Sequence, residues 1–202
     1  MCGIVGYIGQ RDCADVLMDG LEKLEYRGYD SAGIAVFEND VIKTVKSSGK
    51  LEVMQKKLIE QGKPVGHCGI GHTRWATHGE PNDINSHPHS NGRVTLVHNG
   101  IIENYIQLKE FLTEKGYKFT SQTDSEVVAC LIDYYYSERN PLRAITETVK
   151  ELEGNYALGI IFKDFPDRVY ATRKGCPLIA GLGEGENFIA SDIPAFLKYT
   201  KK

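Results

Sequence analysis

The sequence has 202 residues, 41% of them hydrophobic and 25% charged, with a formal net charge of -3. That is ample apolar material for one substantial core, and the charge balance lacks the basic footprint of a nucleic-acid binder. No apolar run approaches the roughly 18 residues that a membrane span requires. The segment Met1-Cys2-Gly3-Ile4-Val5-Gly6 has no basic lead, and Gln10-Arg11-Asp12 cuts the apolar stretch short, so it does not read as a secretory signal and a cytoplasmic location is expected. Five cysteines without CxxC spacing suit reduced thiols rather than a disulfide framework. Cys13, Cys68, Cys130 and Cys176 read as small packing residues.

Ile4 to Ile8 reads as a short apolar strand. From Cys13 to Tyr26, Leu17, Leu21 and Leu24 recur at helical spacing, which predicts one buried helix face. Ala32 to Phe37 and Val41 to Val45 predict two strands turning at Glu38-Asn39-Asp40, and Leu51 to Ile59 a short helix. His67 to Arg74 and Val94 to His98 predict further strands, with the polar stretch Trp75 to Arg93 between them. A loop of that length in a compact domain is usually functional. Asn104 to Lys115 has apolar residues at 105, 108, 111 and 112 and a glycine just past its end, the pattern of a helix.

Thr123-Asp124-Ser125-Glu126 predicts a capping box opening a helix through Tyr136, and Asn140-Pro141 opens another. Tyr156 to Phe162, Val169 to Thr172, Leu178 to Gly181 and Phe188 to Ala190 close the chain as strands. Gly181-Leu182-Gly183-Glu184-Gly185 lacks the Lys-Ser/Thr ending of a P-loop and reads as a β-turn. Strands, then helices, then strands predict a single α+β domain over residues 1–202 with largely antiparallel sheets.

Cys2 carries the most chemistry. Removal of Met1 would put a thiol and a free α-amine on one residue. An α-amino group has a pKa near 7.7–8.0 and can serve as a base for the thiol. Met-Cys-Gly alone is equally a small residue after a methionine. His67, His72 and Cys68 on one strand invite a metal reading, but strand alternation separates His67 from Cys68 and no zinc-like ligand pairs occur.

Four motifs in order change the weight: Met1-Cys2-Gly3-Ile4-Val5-Gly6-Tyr7; Glu25-Tyr26-Arg27-Gly28-Tyr29-Asp30-Ser31-Ala32-Gly33; Gly71-His72-Thr73-Arg74-Trp75-Ala76-Thr77-His78-Gly79; and His98-Asn99-Gly100-Ile101-Ile102-Glu103-Asn104. From Met1 to about Asp192 the chain resembles the class II glutamine amidotransferases, a branch of the N-terminal nucleophile hydrolases. Tyr29 and Trp75 direct the resemblance to the glutaminase domains of the glutamine–fructose-6-phosphate aminotransferases. The resemblance implies a four-layer αββα sandwich, L-glutamine as substrate, Cys2 as nucleophile, and no metal or other cofactor.

It also implies roles residue by residue. Asn99 and Gly100 would form an oxyanion hole, where the local pattern alone favours a hairpin turn. Arg74 would take the substrate α-carboxylate and Asp124 its α-ammonium; their plainer readings are a surface ion pair and a helix cap. Trp75, Thr77 and His78 would lie on a loop closing over the substrate, with Trp75 gating ammonia. Arg27 and Gly28 would support the N-terminal segment, their plainer reading being a helix end with a C-cap glycine. By the same resemblance the chain is the amidotransferase portion alone. The sugar-isomerase domains and their fructose 6-phosphate site lie outside it, the full-length enzyme is a homodimer, and this portion could be a monomer. Neither nucleic acid nor membrane is an expected partner. A glutaminase domain of another class II amidotransferase, a non-catalytic glutamine-binding regulatory module, and an amide hydrolase acting on another substrate stay open at this level.

Overall fold

A computed structural model describes residues 2–75 and 80–202. The first strand, β1 (Gly3–Ile8), is followed by α1 (Cys13–Leu24), whose N-terminus is capped by the Asp12 carboxylate accepting the Ala14 N–H at 3.1 Å. The hairpin of β2 (Ser31–Glu38) and β3 (Val41–Ser48) turns on Asn39 and Asp40, both at positive φ, so the turn is shorter than the three residues expected and has the type I′ character that suits strand twist. Then come α2 (Leu51–Gln61), β4 (Cys68–Arg74), β5 (His89–Ser90) and β6 (Val94–Ile102). Three helices follow: α3 (Tyr105–Glu114), α4 (Asp124–Tyr135) and α5 (Pro141–Glu151). The last strands are β7 (Gly154–Phe162), β8 (Tyr170–Lys174), β9 (Ile179–Leu182) and β10 (Asn187–Ala190). The Gly183–Glu186 turn joins β9 to β10, closed by the Gly183 N–H on the Glu186 carbonyl, as the glycine-rich run predicts.

The strands form two antiparallel sheets, one of six in the order β3-β2-β4-β1-β10-β9 and one of four in the order β5-β6-β7-β8. Three apolar clusters define the layering. Leu17, Leu21 and Leu24 of α1 and Met54 and Leu58 of α2 pack with Val5 and Ile34 on the outer face of the large sheet. Ile4, Ala35 and Ile70 of the large sheet meet Val97, Ala157 and Ile161 of the small one, so these side chains fill the space between the sheets. Leu96, Leu158 and Ile160 on the other face of the small sheet pack with α3, α4 and α5. Helices, sheet, sheet, helices is the expected αββα order. Helix α4 lies deepest; from Asp124 to Asp133 every residue is buried, including both ends of that run.

Several local expectations are corrected. Strand β6 runs on to Ile102, so Asn99-Gly100 sits inside a strand, paired with Ala157 and Tyr156, and is not a hairpin turn. The loop after Trp75 contains a short strand, β5, because His89 and Ser90 pair with Leu96 and Thr95. Glu25–Arg27 leaves α1 as a 3-10 turn, and Gly28 is extended at φ -175°, so no left-handed C-cap forms there. Half of the capping box is present: the Thr123 hydroxyl accepts the Glu126 N–H. The Glu126 carboxylate, however, accepts the Thr120 and Ser121 N–H groups at 2.9 and 2.6 Å, one turn earlier than the reciprocal bond of a capping box. Cys13, Cys68 and Cys130 are buried packing residues, and Cys176 is half-buried.

Candidate functional site

The site lies where both sheets and the start of α4 meet. Strand β1 is the inner strand between β4 and β10, and its register, Gly3 opposite Thr73, brings Cys2 level with the end of β4. Arg74 is the last residue of β4, Asn99 and Gly100 lie in β6, and Asp124 opens α4. A small pocket opens between them, lined by Cys2, Arg74, Gly100 and Asp124 together with His87 and Ser125.

Cys2 and Trp75 hold each other: the Trp75 N–H donates to Sγ at 3.2 Å, and the thiol faces the Trp75 carbonyl at 3.4 Å. Burial pushes the Cys2 thiol up from its ordinary pKa, Asp30 adds to this, and the Trp75 N–H and Arg74 act against it. A neutral thiol therefore needs a base at its side. The Asn99 Nδ2 donates to the Cys2 carbonyl at 2.9 Å, while Oδ1 lies 3.0 Å from the His72 Nε2. Gly100 has φ +114°, and a Cβ there would fall 2.1 Å from the Asn155 carbonyl oxygen, so only glycine fits beside Asn99.

Arg74 is 3% exposed, which excludes a surface ion pair; one guanidinium nitrogen reaches the Glu80 carbonyl at 3.5 Å. Asp124 is 4% exposed and is not the cap of α4, a role held by Thr123. Its Oδ2 accepts the Ile102 N–H at 2.9 Å, and Oδ1 accepts the Ser125 hydroxyl at 3.3 Å. Ser125 Oγ also meets His87 Nε2 at 2.8 Å and His98 Nδ1 at 2.9 Å. Burial drives the His72, His87 and His89 pKa values down, that of His72 to about 3, so these rings are neutral at cellular pH.

Arg27 is buried. It donates to the Ser191 carbonyl at 3.2 Å and pairs with Asp192 at 3.1 Å. Ser191 in turn bonds Ile4 through both its N–H and its hydroxyl, so Arg27 braces the strand that carries Cys2. A Cβ at Gly28 would lie 2.7 Å from the Arg74 carbonyl carbon, so glycine is needed for the two backbones to approach. Trp75 is 49% exposed and lies edge-on to Tyr29, 5.4 Å between centroids. Thr77 and His78 lie outside the described residues.

The structure thus brings together Cys2, Arg74, Trp75, Asn99, Gly100 and Asp124, with Arg27 and Gly28 behind them. The sequence reading weighed His72 only for metal and gave His87, His98 and Ser125 no catalytic or substrate-binding role. A signal existed for two of them: His72 stands two residues before Arg74 on one strand face, and Ser125 falls between two acidic residues at a helix start.

Residues 72–198 match the family model described as a glutamine amidotransferase domain. The chain belongs to the glutamine amidotransferase domain family. It is 58% identical, over its whole length, to the glutamine–fructose-6-phosphate aminotransferase of Clostridium tetani and 52% identical to that of Thermus thermophilus, covering 33% of each. The chain therefore spans about a third of the length of the curated relatives it matches. Among solved structures, it superposes with a TM-score of 0.83 on the phosphoribosylpyrophosphate amidotransferase of B. subtilis, at 28% identity over 98% of this chain and 44% of that one. A class-II glutamine aminotransferase domain protein from Silicibacter pomeroyi shares the fold alone, at a TM-score of 0.68 and 14% identity over 94% of this chain and 88% of that one. The amidotransferase domain has the N-terminal nucleophile hydrolase fold. Among its described residues, no helix is long and apolar enough to cross a membrane.

Proposed function

We propose that the chain hydrolyses the side-chain amide of L-glutamine to glutamate and ammonia through a Cys2 thioester. The observation that carries this reading is one small cavity holding a thiol, a buried guanidinium and a buried carboxylate at once. Arg74 is suited to the α-carboxylate, since a guanidinium can grip it with two parallel bonds. Asp124, held by the Ile102 N–H and the Ser125 hydroxyl, presents an oriented carboxylate to the α-ammonium. With both ends of the amino acid fixed, its amide carbon lies toward Cys2.

With Met1 removed, the α-amine of Cys2 takes the thiol proton as the sulfur bonds to the amide carbon. The oxyanion that forms is held by the Asn99 Nδ2–H and the Gly100 N–H. The same amine returns the proton to the leaving nitrogen, the C–N bond breaks, and ammonia departs from a thioester. Water then attacks the thioester by the same route, releasing glutamate and the thiol. Trp75, Thr77 and His78 close over the substrate, and Arg27 and Gly28 keep the end of β1 in place.

In the whole protein the ammonia converts fructose 6-phosphate to glucosamine 6-phosphate in a sugar-isomerase part outside this chain, with Trp75 gating its passage. The 52–58% identity to aminotransferases of that name favours this acceptor over phosphoribosylpyrophosphate, whose amidotransferase is 28% identical. A homodimer of the full-length protein and a cytoplasmic location go with this reading. The test is direct. The purified protein, its N-terminal mass determined, is incubated with glutamine and with a glutamine-derived chloroketone. Release of glutamate and ammonia with single labelling at Cys2 is expected. A protein lacking Met1 that neither releases glutamate nor is labelled overturns the reading.

A further inference from the structure

Asn99 is an amide, and amides have two ends. An oxyanion hole needs the nitrogen end, so something must fix which end faces the substrate. His72 Nε2 lies 3.0 Å from Asn99 Oδ1 and 3.0 Å from the His98 carbonyl oxygen. Both neighbours are acceptors, so that ring nitrogen must carry the proton and donate to both. On the far side, the Cys2 carbonyl accepts from Asn99 Nδ2. The amide is therefore held at its oxygen by the large sheet and at its nitrogen by the residue that bears the thiol, which leaves its second N–H for an incoming oxygen.

We propose that His72 is a positioning residue for the glutaminase reaction, a fixed Nε2–H donor that locks the Asn99 amide with its nitrogen toward the reacting carbonyl. The proposal rests on the function proposed above and adds a residue to it. Three further observations support it. His72 is completely buried, and it projects from β4 into the space between the sheets, on the same strand face as Ile70. Its ring lies against His87, 4.1 Å between centroids at 33°, so neither ring can swing. Burial holds it neutral far below cellular pH, and its Nδ1 has no hydrogen-bond partner among the described residues, so the proton has one favourable place to sit. His72 does not line the cavity itself; its effect passes through Asn99.

The experiment compares His72→Gln and His72→Asn in the intact protein. A glutamine side chain can carry an N–H to about the place of Nε2, whereas asparagine stops at about the place of Nδ1. His72→Asn should lower kcat for glutamine hydrolysis roughly tenfold to a hundredfold, below the 10²–10³ that deleting an oxyanion donor costs, with KM within about twofold. His72→Gln should stay within about threefold of wild type. Affinity for the γ-aldehyde of glutamate, whose thiol adduct puts an oxygen in the hole, should fall with kcat in His72→Asn. Simple alkylation of Cys2 by chloroacetamide, which needs no hole, should keep its rate. Wild-type kcat in a folded His72→Asn protein overturns the proposal, as does equal loss in kcat, KM and alkylation, which marks general damage. Should His72→Asn fail to fold, ring-nitrogen NMR of the wild type decides: one Nε2–H tautomer from about pH 5.5 to 8.5 is expected, and an Nδ1–H tautomer or a protonated ring there overturns it. A wild-type protein that releases no glutamate fails the functional reading instead.

Discussion

The two sheets bring unlike things to one cavity. The large sheet supplies reactive and charged groups at strand ends: Cys2 just before β1 and Arg74 at the close of β4. The small sheet and α4 supply a fixed wall: Asn99 and Gly100 within β6, and Asp124 tied to Ile102 and Ser125. Strand ends leave a side chain room to meet a substrate, whereas a residue inside a paired strand is already positioned. The proposed nucleophile thus sits at the half-open rim, and the groups proposed to hold the substrate and its oxyanion sit in the buried interior. Four measurements would break or sharpen this contrast.

The largest effect is expected at the rim. Cys2→Ala removes the attacking atom and should abolish glutamine hydrolysis, by at least about a thousandfold in kcat, while leaving the melting temperature within a few degrees, because Cys2 is only half-buried. Next come the two charges. Arg74→Gln and Asp124→Asn should each raise KM for glutamine by about thirtyfold or more, since losing one partner of a buried charge pair costs about 2–5 kcal/mol. If kcat fell and KM did not, the assignment of the two ends of the amino acid would be wrong.

A pH measurement probes the wall. His72, His87 and His89 have folded pKa values below the ordinary histidine value near 6.5. The unfolded chain therefore binds more protons than the folded one below that pH. Stability is full above about 6.5 and falls as pH drops, by about 1.4 kcal/mol per unit for each histidine that stays neutral in the fold. Urea midpoints should decline steeply between pH 6.5 and 5; a flat profile would refute the buried neutral cluster. The smallest effect is expected at Ser125. Ser125→Ala leaves Asp124 its bond from Ile102 and should raise KM about fivefold, the worth of roughly 1 kcal/mol of hydrogen bond, with kcat near wild type.

Much of this was legible in the sequence, for identifiable reasons. Helix α1 shows its buried stripe in Leu17, Leu21 and Leu24, and α5 its start in Asn140-Pro141, because both signals are local. The α+β class follows from the order of elements, whereas the four-layer order came only with the family resemblance. Asn99-Gly100 was ambiguous because two residues cannot reveal whether a partner strand lies alongside; Tyr156 and Ala157, more than fifty positions on, decide it. The Glu126 bonds to Thr120 and Ser121 were hidden because a capping pattern states which residues can bond, not which backbone groups come within reach. The histidines were hardest. His72, His87, His89 and His98 come from three strands and a loop, and only the packing of one sheet on the other reveals that they touch.

Strand β1 lies between β4 and β10, so it gains its second neighbour only when Asn187 to Ala190 exist. At about 5–20 residues per second of synthesis, that edge stands open for roughly 10–40 s. The proposed reaction requires the residue before Cys2 to be trimmed, and this is the interval in which the end of β1 is least tied down. Once β10 docks and Ser191 bonds Ile4, the same end is braced by Arg27. Topology thereby orders assembly: the end of β1 that carries Cys2 is braced only after β10 has docked.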